Sequence, residues 1–192
     1  MYALPPGPVA APRRQTLVGM AFATVSIVML TGGMLAVWLL QRTEALDAGE
    51  SWLPSGAIIP EVPSNIILIA FVGVCVFAQW ACWSAKRNDR GHTVFALAAT
   101  AVVALLIINA QAYIYAEMNL GIGSGLYPAM FYAVTGVFMV LMIVGIIFSA
   151  VAAFRYSGGR SQDNEILAAH AMYWYTMAAV FTAIWLVVYV TK

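Results

Sequence analysis

Five stretches of this chain contain no Asp, Glu, Lys or Arg: residues 16–40, 65–85, 93–115, 127–153 and 166–191. Each is long enough to cross the hydrocarbon core of a bilayer, which takes about 20 residues of helix. The longer ones leave room for tilt or for extension into the interface. Water is absent from that core, so only helices and closed barrels satisfy their backbones there. A barrel needs short segments of alternating polarity, and these runs are continuous. The pattern predicts an all-α, polytopic membrane protein, a single five-helix bundle over residues 16–192. An amino-terminal arm over residues 1–15 precedes it. That arm, MYALPPGPVAAP at its start, reads as flexible or polyproline-like.

Composition agrees with burial in lipid. Hydrophobic residues make up 63% and charged residues 9% of the chain, against about 25% charged in a soluble domain. The mean hydropathy is +0.88. A net charge of +1 with no basic stripe gives nucleic acid nothing to bind. The first run follows Arg13-Arg14, and RRQTLVG is faintly similar to a twin-arginine signal. A signal's apolar region spans only about 7–15 residues, whereas this one continues to Leu40, so a retained helix is expected.

The polar breaks set an orientation. Arg13, Arg14, Lys86, Arg87, Arg90, Arg155 and Arg160 fall at one side of the alternating spans, leaving only Arg42 and Lys192 opposite. By the positive-inside rule the amino terminus faces the cytoplasm and the carboxyl terminus the outside. Trp38, Trp52, Tyr113, Tyr115, Tyr127 and Tyr189 then read as an outer aromatic belt, with Trp83 and Tyr156 inside.

Chemistry is sparse. Pumps, carriers and voltage sensors carry intramembrane charge, and these spans have none. A transporter's pair of interrupted helices is also missing, since Gly32-Gly33 has no counterpart in a second half. His92 and His170 lie near the same membrane surface, which leaves a membrane cytochrome as a minor alternative. Cys75 and Cys82 sit seven residues apart, about 10 Å along a helix, and read as packing thiols. Gln79, Asn109, Gln111, Ser26 and Thr31 read as interhelical polar contacts. Small residues recur every four positions at Gly19/Ala23, Ala96/Thr100/Ala104 and Gly145/Ser149/Ala153, as close-packed helices require.

Order and spacing add a resemblance. VGMAFATVSIVMLTGGMLAVWLLQR, WSAKRND, NAQAYIYAEM, YPAMFYAVTGVFMVLMIVG and MYWYTMAAVFTAIWLVVYV occur in that order. Together they resemble subunit III of cytochrome c oxidase, in its short five-helix bacterial form. The resemblance implies a non-catalytic subunit with no cofactor of its own, in a bacterial inner membrane. Its partners would be the catalytic haem–copper subunit I, which holds haem and copper, other oxidase subunits, and phospholipid. The lipid would lie in a cleft between the first two helices and the remaining three. Gln111, Tyr113, Tyr173, Trp174 and His170 become the candidates for lipid or interface contact. Departures from the family pattern put apolar or aromatic residues at its polar positions: Ile27, Ile114, Phe138, Leu141, Tyr175 and Ala178. The equivalent subunit of a quinol oxidase, or a nitric oxide reductase accessory protein, remains the alternative.

Overall fold

The structure, a computed structural model, describes residues 14–54, 56–118, 120–159 and 164–191. Five helices form: α1 Gln15–Asp47, α2 Glu61–Lys86, α3 Arg90–Met118, α4 Leu126–Ser157 and α5 Asn164–Ile184. The last continues as a π-helical turn, Trp185–Val190. All five spans are long and apolar enough to cross a membrane, so the chain is a multi-pass membrane protein. Arg13, Arg160, Lys192 and residues 1–13 of the expected arm lie outside the described residues.

Helices overrun the apolar windows because their polar flanks favour helix as well. α1 is 33 residues long, about 50 Å at 1.5 Å per residue, against a hydrocarbon core of about 30 Å. Its last two turns carry Arg42, Glu44 and Asp47, with Gln41 Nε2 donating to Glu44 Oε2 at 3.0 Å. The external connection expected over residues 41–64 is correspondingly shorter. Gly32-Gly33 does not interrupt α1.

The α2–α3 connection is the tightest. Asn88 takes a left-handed conformation, φ 56°, which Asn tolerates better than most residues. This lets the Asp89 amide return to the Ser84 carbonyl at 3.0 Å, closing the end of α2. The Asp89 carboxylate then accepts the His92 amide at 3.1 Å and so caps α3. The resulting hairpin gives α2 and α3 the most extensive interface in the bundle. On α3, Ala96, Thr100 and Ala104 recur at four-residue spacing and are all fully buried.

α5 is the central element. It packs against α2, α1 and α4, while α1 rests chiefly on α5 and only lightly on α4. A division of α1 and α2 from α3–α5 is therefore not observed. α2 is bound too closely to α3 and α5 for a cleft to pass between them. The openings instead flank α1. One lies between α1 and α2 with α5 as its floor, and the other between α1 and α4.

Contacts place the helix ends. The start of α1 meets the start of α5, where the Leu17 amide donates to Glu165 at 2.9 Å. The end of α5 meets the start of α2, where Trp185 Nε1 donates to Asn65 at 2.8 Å. One end of the bundle thus carries Arg14, Lys86, Arg87, Arg90 and Arg155. The other carries Arg42 with Glu44, Asp47, Glu50, Glu61 and Glu117.

The aromatic belt needs correcting. Trp38, Trp52 and Tyr127 pack on one another with ring centroids 5.2–5.5 Å apart, and Trp38 is 0% exposed. The segment after α1 folds back and carries Trp52 into the gap between the end of α1 and the start of α4. Tyr156 and Tyr189 are likewise buried. Tyr113 and Trp83 do face outward, and Arg87 lies 3.7 Å over the Trp83 ring.

Candidate functional site

Two buried polar knots and one groove hold the side chains capable of recognition. The first knot joins α4 to α5. His170 Nε2 lies 2.7 Å from Ser149 Oγ, and Trp174 Nε1 lies 3.1 Å from the same oxygen and 3.0 Å from Nε2. Ser149 also donates to the Gly145 carbonyl at 2.9 Å. The indole N–H is shared between Ser149 Oγ and the lone pair of Nε2. Nδ1 has no partner among the described residues. The knot exists because α4 is smooth here. A Cβ on Gly145 would stand 2.6 Å from Tyr173 Cε1 and 2.9 Å from the Trp174 ring. Tyr173 completes the contact by donating to the Leu141 carbonyl at 2.5 Å.

The second knot joins α3, α4 and the π-helical turn. Tyr189 donates to Gln111 Oε1 at 3.1 Å, and Tyr115 donates to Thr135 Oγ1 at 2.8 Å. Phe131 sits edge-on to Tyr115 and to Tyr189. Between the knots the core is hydrocarbon. Phe71, Phe138 and Phe181 stack with centroids 5.1–6.1 Å apart, and Ile114 is fully buried.

The sequence candidates thus separate. Gln111, Tyr173, Trp174 and His170 are buried and partnered inside the bundle, so they join helices and do not meet lipid. Only Tyr113, 52% exposed, lies on the outer surface. His170 does not meet His92. The latter's Nδ1 pairs with Asp89 at 2.7 Å and its ring packs near Trp80. Among the described residues no three His, Cys, Asp or Glu side chains gather as a metal site would need. Ser26 and Thr31 return their hydroxyls to their own helix and make no interhelical bond among the described residues. Gly19 meets no neighbour that a Cβ would touch.

The groove between α1 and α2 holds roughly 530 Å³. Tyr175 donates to Gln79 Oε1 at 2.8 Å across it, Thr24 and Thr176 approach to 3.2 Å, and Cys82 donates to the Leu167 carbonyl at 3.1 Å. Lys86 stands at its mouth. Sequence reasoning took Gln79 as an interhelical contact, and it is one. Tyr175 stood out in sequence only as a departure from the family pattern, and Thr176 not at all, because nothing in an apolar run marks which face looks outward.

The arrangement has helix-joining polar bonds, an apolar core and grooves on either side of α1. Comparison with known proteins gives it a family: residues 11–192 match the family model of cytochrome c oxidase subunit III. The chain belongs to that family. Among relatives, it is similar to cytochrome c oxidase subunit 3 of Prototheca wickerhamii, 29% identical over 75% of this chain and 56% of the relative. The Sus scrofa protein is 26% identical over 88% and 65%. The Xenopus laevis protein is 30% identical over 70% and 52%. The chain therefore spans between about half and two thirds of the length of these relatives. As a subunit III family member its five helices account for nearly all of the match.

Proposed function

We propose that this chain is a non-catalytic subunit of an aerobic respiratory haem–copper oxidase of the cytochrome c oxidase type. It packs on the catalytic subunit, stabilises it and holds phospholipid against it, while haem and copper stay in the partner subunits. Family membership over residues 11–192 carries the reading. The structure supplies physical support. Both histidines are engaged in local contacts, and the spans hold no charge inside the apolar windows, so the intramembrane groups that a pump or carrier uses are not offered here.

In this reading the end bearing Arg14, Lys86, Arg87, Arg90 and Arg155 faces the cytoplasm of a bacterial cell and the acidic end faces outward. The apolar opening between α1 and α4, about 500 Å³ and lined by Met29, Met34 and Met130 among others, suits an alkyl chain. Tyr113 serves as an anchor at the outer interface.

The test is purification of the chain from its native membrane in mild detergent. A haem–copper subunit that stays with it, seen by peptide mass spectrometry and a reduced-minus-oxidised haem spectrum, is the expected result. A chain that purifies alone, or whose own polypeptide carries the haem signal, overturns the proposal.

A further inference from the structure

Gln79 on α2 and Tyr175 on α5 are both exposed on faces that would otherwise meet hydrocarbon. Gln79 lies seven residues before Lys86 on α2, about 10 Å down the helix from the charged end. Its carbonyl oxygen is taken by Tyr175. Its amide N–H pair has no protein partner among the described residues, and an unpaired amide facing alkyl chains is costly. Around it lie Thr24, Thr176 and Cys82, so the patch is a lined groove with a wall of α1, a wall of α2 and a floor of α5. Asn109 is also exposed, on α3, but lines neither of the two grooves beside α1.

We propose that the α1–α2–α5 groove receives a transmembrane helix of the catalytic partner subunit. That helix presents an oxygen acceptor to the Gln79 amide and an acidic side chain to Lys86. Gln79, Cys82 and Lys86 repeat at intervals of three and four, the spacing of a helix-packing seam. A straight partner helix with an acceptor and an acid seven positions apart meets both ends of that seam. Among the described residues Lys86 forms no ion pair, so its charge is available to an acid from another chain. A phospholipid would satisfy Lys86 with its phosphate but would lay alkyl chain over the Gln79 amide, which is why a protein helix is the better occupant. The inference rests on the oxidase-subunit reading and names the face through which it acts.

The experiment places a photoreactive phenylalanine analogue at Val28, on the α1 wall of the groove, and at Asn109 as a control, in the full chain in its native membrane. The expected outcome is an adduct from Val28 that maps to a transmembrane peptide of the haem-bearing subunit, with none from Asn109. Partner adducts from Asn109 alone, lipid adducts alone from the groove, or no adduct while the complex stays intact would each overturn the groove assignment and leave the subunit role standing. If no haem-bearing subunit accompanies the unmodified chain, the subunit role fails and the groove assignment with it. As a second measure, Gln79→Leu should lower retention of the chain in the purified complex about three- to fifteen-fold, the worth of one interhelical hydrogen bond. Asn109→Leu should leave it unchanged. Both residues are exposed, so neither change opens a core cavity, and equal retention of the two variants would overturn the assignment.

Discussion

α5 and α1 are both apolar spans, yet half of the most apolar window is buried in the one and 22% in the other. α5 buries His170, Tyr173, Trp174, Met177, Phe181 and more against three neighbours. α1 buries only Ile27, Thr31, Leu35 and Trp38. Those four fall at intervals of four, four and three, a stripe one neighbour wide. The difference shows that hydropathy measures affinity for a nonaqueous setting and says little about which helices touch. In lipid, packing and interhelical hydrogen bonds decide that. α5 has both along its length. α1 has three pins: Glu165 on its first turn, Thr176 near its middle, and the Trp38 box at its far end.

The strongest way to break this contrast is to remove the Trp38 pin. Trp38→Ala deletes a fully buried ring and should cost about 3–5 kcal/mol. Hydrogen exchange should then show α1 opening while the α2–α3 hairpin stays protected. A uniform loss of protection would mean that α1 is as integral as α5. Next in size is Gly145→Ala, where the new methyl must displace Tyr173 or Trp174. Overpacking of this kind costs about 1–3 kcal/mol. It should lower the thermal midpoint of the detergent-solubilised chain and disturb α4 and α5 without freeing α1.

Glu165→Ala sharpens the comparison from the other side. It removes an acceptor that caps α1 from a different helix, worth about 1 kcal/mol. Faster amide exchange should be confined to the first turn of α1, and spreading of the effect into α5 would contradict the pin picture. The smallest effect concerns Asp89. The His92 amide and ring hold its carboxyl below the usual 3.8. Its folded value is lower than its unfolded one, so its contribution is present at neutral pH. That contribution is lost only as pH falls below about 3.8 through the folded value. Protection at the start of α3, taken relative to the unstructured exchange rate at each pH, should therefore be constant from pH 8 to 5 and fall only in stronger acid.

Much of the bundle was legible before any coordinates. Freedom from charge gave the five spans, and small-residue spacing marked close packing at Ala96, Thr100 and Ala104, which are buried, and at Gly145 and Ser149, which meet α5. Helix facing was not legible. Ile, Val and Leu are equally at home against lipid and against protein, so the outward stripe of α2 and the inward stripe of α5 look alike in sequence. Aromatics near span ends misled for a related reason. Trp38, Trp52 and Tyr127 suit an interface as well as a core, and only the fold-back of residues 48–54 decides between them. The candidate site was only partly legible: Gln111, His170 and Trp174 stood out as lipid or interface contacts, whereas they lie buried in polar contacts with Tyr189 and Ser149 that only packing reveals.

The π-helical turn at Trp185–Val190 contains, in effect, one residue more than an α-helical path would use. Each residue advances an α-helix by about 100°, so that surplus sets the azimuth of Tyr189. Straightening the turn would swing the phenol away from Gln111 and strand an amide in the dry interior. The last turn of the chain is thus locked in register by a side chain on α3, and shortening it by one position would unseat two helices together.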